Sequence, residues 1–155
     1  MKKTLLTSLA VTLFLVLVSA SPVNAQTDVK ARNAVANLYK AAKTKNIVDW
    51  SRAELEKYFT KELAGAIYKA TQSEDGLDFD ILYYAQDTKI TGFFISGGYE
   101  VVFGDGAYEV IVGFKNFGKS RQMFFTLEKD FRISNIKYDD GKTADSPTLL
   151  DILKN

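Results

Sequence analysis

The chain has no cysteine and no histidine in its 155 residues, and only two prolines. Without cysteine no disulfide can staple the fold, so its stability rests on a hydrophobic core. The same absence removes a lipobox and with it the lipoprotein route to a membrane. Without histidine there is no Ser-His-Asp or Cys-His nucleophile system and no zinc site built on imidazole or thiolate. Any catalysis would fall to Asp, Glu, Lys, Tyr or Ser. A preponderant charge is missing too, with 20 basic residues against 19 acidic ones. So balanced a chain has no bulk electrostatic reason to seek nucleic acid or an anionic membrane.

What is present starts with a leader. Lys2 and Lys3 precede an apolar run from Leu5 to Val18, and Ser19-Ala20-Ser21-Pro22-Val23-Asn24-Ala25 follows it with small residues. That is the pattern of a secretory signal, with Val23 and Ala25 suited to an A-x-A-like site and cleavage expected after Ala25. The run is shorter than the roughly 20 residues of a spanning helix. The expectation is a periplasmic or secreted protein with no membrane anchor, its residues 26–155 forming one domain.

The periodicity of that domain changes once. Ala31, Ala34, Val35, Leu38, Ala41 and Ala42 recur at helical steps and predict an amphipathic helix. Ser51 and Glu54 form an S-x-x-E capping box, with Trp50 and Leu55 placed for a hydrophobic staple, predicting a helix over 52–59. Thr60 is a cap for a third helix whose stripe is Phe59, Leu63, Ile67 and Ala70. Beyond residue 89 the period becomes two. Strands are expected over 90–96 and 99–103, separated by Gly97-Gly98, with a tight turn at Gly104-Asp105-Gly106. Another strand has Tyr108, Val110, Val112 and Phe114 on one face, and a turn at Asn116-Phe117-Gly118-Lys119 leads to one with Met123, Phe125 and Leu127. In the last strand Phe131 and Ile133 have odd parity but Ile136 and Tyr138 even parity, which predicts a bulge near Ser134-Asn135. Asp139-Asp140-Gly141 leaves the sheet. Ser146-Pro147 reads as a cap with proline at the first position of a closing helix bearing Leu149, Leu150, Ile152 and Leu153. Helices followed by a meander imply an α+β fold, N-terminal helices packed on a mostly antiparallel sheet of four or five strands wrapped over the first helix, with a short C-terminal helix.

Three groups of residues bear on function. Glu74, Asp75, Asp78, Asp80 and Asp87 crowd a connector, but their spacing does not match an EF-hand loop, so a solvated acidic loop accounts for them and no metal site is assigned. In the same connector Tyr83, Tyr84, Gln86 and Asp87 follow an apolar stretch. Either the tyrosines plug one end of the sheet while Gln86 and Asp87 bond backbone, or the four residues rim a ligand pocket. In the second case Asp87 could act as a base beside a tyrosine donor, which is proton-transfer chemistry without histidine. Finally Lys115, Phe117, Lys119 and Arg121 surround a hairpin tip; either they are a solvated tip, the default reading, or they form a docking point for an acidic partner. Phe94 and Phe124 interrupt the polar face of the sheet, and an apolar patch there would suggest a homodimer.

Several of these features resemble one bacterial family. They are the Leu38-Tyr39 pair, Tyr58-Phe59-x-x-x-Leu63, the Asp78-Phe79-Asp80…Ala85-Gln86-Asp87 connector, and Phe131-Arg132-Ile133-x-x-Ile136 before the Leu149…Leu153 tail. Together they are similar to the exported domain-of-unknown-function 3828 family, itself similar to the cystatin-like, nuclear-transport-factor-2-like class. The resemblance implies helices cradled by a curved sheet, a cystatin-like cone, and transfers no catalytic residues and no cofactor. Where many members of that family have tryptophan at the start of the last strand, this chain has Phe131. The expected function is that of a non-enzymatic binding protein whose ligand is a small molecule or another protein, including an inhibitor or immunity protein. The alternative is a small isomerase- or dehydratase-type enzyme using Asp87 and a tyrosine.

Overall fold

The computed structural model describes residues 22–74, 76–101, 108–139 and 146–154, with side chains from Gln26 onward. The leader through residue 21, the turn at Gly104–Gly106 and the exit at Asp140-Gly141 lie outside the described residues. The regular elements among the described residues are four α-helices, a 3-10 turn at Ile47–Asp49 and a four-stranded sheet. Helix α1 spans Pro22–Ala42, α2 Arg52–Leu55, α3 Lys61–Thr71 and α4 Leu149–Lys154. The strands are β1 (Ile90–Glu100), β2 (Tyr108–Asn116), β3 (Lys119–Leu127) and β4 (Ile133–Asp139), in the order β1-β2-β3-β4 with every pairing antiparallel. The fold is α+β, helices first, with an open sheet.

The predicted inward faces are the buried ones. Val110, Val112 and Phe114 of β2 and Met123, Phe125 and Leu127 of β3 lie in one core with Ala31, Val35 and Leu38 of α1 and Leu63 and Ile67 of α3. Thr126 pairs with Asn135 but Leu127 with Ile133, so Ser134 is the extra residue of a β-bulge. That insertion turns Ile133, Ile136 and Tyr138 all inward, where each is buried. Helix α1 starts well before Ala31, its first four residues being those that precede the expected cleavage point.

Four local expectations change. The capping box closes as predicted, Ser51 Oγ accepting from Glu54 N–H at 3.3 Å and Glu54 Oε2 from Ser51 N–H at 2.7 Å. Lys45 Nζ lies 2.9 Å from the same carboxylate. That hydrogen bond, followed by those from Ser51, holds the Glu54 carboxyl down to about 2. Yet α2 stops at Leu55 instead of reaching Phe59. The edge of β4 takes the backbone beyond it: Ile133 N–H donates to Tyr58 O at 2.8 Å and Thr60 N–H to Ile133 O at 2.9 Å. At the other end of that edge, Tyr138 N–H donates to Pro147 O at 3.0 Å and Thr148 bridges Lys137. Residues 147–148 are therefore held extended, so α4 begins at Leu149, and Thr148 rather than Ser146 caps it through Asp151 N–H at 3.3 Å. Lastly, Gly97-Gly98 does not divide the first strand. β1 runs straight through, with one-residue bulges between Thr91 and Phe94 and between Gly97 and Tyr99; at the second, Asp28 of α1 sits against Gly98 and Arg32 Nη1 donates to Gly97 O at 2.7 Å.

Candidate functional site

The connector between α3 and β1 closes on itself around one side chain. Asp80 Oδ1 accepts from Leu82 N–H at 2.7 Å, an Asx-turn, and its carbonyl accepts from Tyr83 N–H at 3.2 Å and Tyr84 N–H at 2.7 Å. Its own N–H donates to Ala85 O at 2.9 Å. The tight turn places Tyr84 at φ +47 and sends the two tyrosines to different neighbours. Ile81 and Leu82 become part of the core.

Two buried hydroxyls hold this loop down. Tyr39 of α1 donates to Leu82 O at 2.8 Å and Tyr138 of β4 donates to Ile81 O at 3.0 Å. Burial, and secondarily neighbouring tyrosines and Asp80, push both phenols well above their ordinary range, so they remain protonated donors. Around them the rings interlock. Tyr83 meets Tyr39 and Phe114 edge-on at 5.7 and 5.3 Å between centroids, while Tyr84 stacks on Tyr138 at 4.3 Å with 5° between planes. Aromatic pairs of this geometry add about 0.5–1.5 kcal/mol each beyond their burial. The tyrosines thus do plug one end of the sheet.

The plug also divides the surface into cavities. One, of about 350 Å³, opens between the C-terminal end of α1 and the connector. Its walls are apolar or aromatic at Tyr39, Leu77, Phe79 and Tyr83, with Lys43, Lys45 and Asp80 among the polar groups that line it. On the far side of Tyr83 a smaller cavity of about 120 Å³ is lined by Tyr84, Phe114, Arg121 and Tyr138. A third, of about 320 Å³, runs between the connector and Ile152 and includes Gln86.

The four residues expected to rim a pocket are therefore distributed. Tyr83 forms the wall between two cavities, Tyr84 lines two, and Gln86 lines one. Asp87 is exposed and lines none of these cavities; its carbonyl accepts from Asn116 Nδ2 at 3.1 Å. The hairpin group divides as well. Phe117 is 60% exposed at the tip and Lys115 and Lys119 are exposed beside it, whereas Arg121 is half-buried and joins Tyr83 and Tyr84. Among the described residues no three carboxylates converge on a position for a cation, Asp75 being outside them.

Sequence reasoning missed Asp80, Tyr39, Tyr138 and Lys43 as site residues. An Asp two residues before Leu82 in a loop is an Asx-turn signal that would have found the first. Asp80 is exposed as a residue, yet partial burial of its carboxyl pushes its pKa up, and the Leu82 and Tyr83 N–H groups only partly oppose this. A raised carboxyl pKa favours the folded state below the ordinary carboxylate range and is a liability above it. Asp80→Asn keeps an Oδ1 acceptor for Leu82 while removing the desolvated charge. Its thermal midpoint is expected to exceed that of the parent at pH 7, the gain vanishing as pH falls below the ordinary aspartate range. Equal midpoints at pH 7 in parallel melts would show that the carboxylate is fully solvated.

No protein-family model, curated protein or solved structure matches the chain.

Proposed function

We propose that this chain is an exported, non-enzymatic binding domain of the cystatin-like class, working in the periplasm after cleavage behind Ala25. Its ligand is a small molecule with a flat apolar ring and an anionic or hydrogen-bond-accepting end. The observation that carries this reading is the cleft of about 350 Å³ at the connector, which falls within the roughly 300–1,000 Å³ of small-molecule pockets. Tyr39, Phe79 and Tyr83 offer ring faces and edges, and Lys43 offers a cation at the rim. Lys45, tied to Glu54, supplies a second positive group whose position is held.

An enzymatic reading draws no support from this geometry. Asp87 lies apart from the cavities, and the hydroxyls of Tyr39 and Tyr138 are engaged by backbone carbonyls. Asp80, the carboxylate beside the tyrosines, is occupied with its own turn. A second binding reading, that of an inhibitor or immunity protein, is favoured by Phe117 standing exposed between Lys115 and Lys119.

The test uses 8-anilinonaphthalene-1-sulfonate, an aromatic ring system with an anionic end. A single saturable site is expected, with Ala42→Trp filling the cleft and abolishing it and Lys43→Ala weakening it by roughly ten-fold, about the worth of one charge-assisted hydrogen bond. Both variants must keep the parent circular dichroism. Dye binding that ignores Ala42→Trp would remove the cleft as the site, and Phe117→Ser should leave dye binding untouched while weakening capture of an acidic protein.

A further inference from the structure

The face of the sheet turned away from the helices carries an apolar diagonal. The Phe94 ring of β1 lies over Gly113 of β2, where any side chain would overlap it. Ile111 and Phe124 are direct cross-strand partners beside it. Phe94 is 50% exposed, and Tyr99, opposite Glu109, is 66% exposed. The outward face of an antiparallel sheet is ordinarily polar, and a contiguous apolar patch on it marks a contact surface.

The charges flanking this diagonal form a pattern that is its own complement when reversed. Along β2 the outward residues run Glu109, Ile111, Gly113, Lys115. On β4, Lys137 is level with Ile111 through Phe124, and Asp139 is level with Gly113 through Gln122. Consider a two-fold axis lying in the contact plane, perpendicular to the strands at the level of Val112. It lays each strand antiparallel on its own copy. Glu109 then faces Lys115, Lys137 faces Asp139, and Ile111 meets the Phe94 ring that covers Gly113, each contact occurring twice. A two-fold axis along β2 would instead set Glu109 on Glu109 and Lys115 on Lys115, so charge disfavours that arrangement.

We propose that this outer face is the interface of a homodimer, two sheets stacked face to face about that axis. Isologous two-fold contacts are the commonest oligomeric arrangement and require this kind of self-complementarity. Four strands at ordinary spacing and about nine residues long present roughly 600 Å² in projection before side-chain relief, close to the about 800 Å² per partner of a stable interface. The connector cleft lies at the end of the helical side, so the dimer leaves it open and does not depend on what it binds.

Charge reversal tests the axis itself. The full chain, purified in whatever processed form the host leaves it, is compared with E109K, K115E and the double variant by sedimentation equilibrium at low salt. The parent is expected to dimerise. Each single reversal creates two like-charge oppositions and should raise the dimer dissociation constant by at least about ten-fold. The double reversal restores opposite charges and should return it to within a few-fold of the parent. Phe94→Ser, which removes the apolar contact without changing charge, should weaken the dimer in the same assay. A parent that stays monomeric to millimolar concentration overturns the proposal. So does a dimer insensitive to E109K and K115E, or a double variant weaker than both singles. Circular dichroism confirms that all four variants stay folded.

Discussion

Alanine at Gly98 is expected to remove about 2–5 kcal/mol of stability, a large share of what a domain of ordinary stability has. Two costs combine. Gly98 sits at φ +92, a conformation that strains any residue with a Cβ by roughly 1–2 kcal/mol. A Cβ there would also lie 2.5 Å from Asp28 O and 3.0 Å from its Cα, both backbone atoms of α1 that cannot swing aside. Overpacking of that kind costs about 1–3 kcal/mol, since helix and strand must separate. Gly92→Ala provides the comparison, because Gly92 is also at positive φ, +60, but a Cβ there meets nothing within 4 Å. Urea unfolding of the two variants should differ by the overpacking cost. Equal losses would mean that α1 does not rest on β1 at this point.

The second large effect is at Tyr138. Tyr138→Ala is expected to cost about 3–5 kcal/mol, as for other large aromatic truncations in a core. The ring is buried and carries the stacked Tyr84 and the edge contact with Phe79. Tyr138→Phe keeps the ring and loses only the hydrogen bond to Ile81 O, costing roughly 1–3 kcal/mol because the buried carbonyl then has no donor. The two variants differ in a second observable. Without the ring, the amides of Leu82 and Tyr84 should exchange with solvent faster than those of β2 and β3, and limited proteolysis should cut within 77–87. With phenylalanine the connector should remain resistant. If Tyr138→Ala melts the whole protein with no preferential exposure of the connector, the plug is not a separate unit but belongs to one cooperative core.

How much of this is legible in the sequence depends on the range of the forces involved. The Ser51–Glu54 box, the Thr60 cap, the inward stripes of β2 and β3 and the Ser134 bulge are readable because each follows from residues within four positions of one another. The premature end of α2 is not, because Tyr58 and Thr60 give their backbone groups to Ile133, more than seventy residues away. The delayed start of α4 has the same cause at the other end of β4. Gly97-Gly98 reads as punctuation, its common local meaning, whereas Gly98 admits Asp28 and Gly97 lies against the backbone of β2 at Glu109. In the candidate site, the aromatic connector and its plugging role are visible in Tyr83 and Tyr84. The partners Tyr39 and Tyr138 come from α1 and β4, and nothing in their local pattern links them to residues 81–82.

Composition and periodicity by themselves therefore determined the α+β order of elements, which side of each strand is buried, and a core that does without disulfides. They did so because burial of alternate or every-third-and-fourth apolar residues is a local demand. Only the tertiary structure decided where α2 and α4 stop and start, which tyrosines restrain the connector, and that Arg121 stands with Tyr83 while Asp87 stands apart. Those outcomes depend on hydrogen-bonding groups and ring faces meeting across long stretches of chain, and a buried carbonyl takes whichever donor the packed fold brings to it.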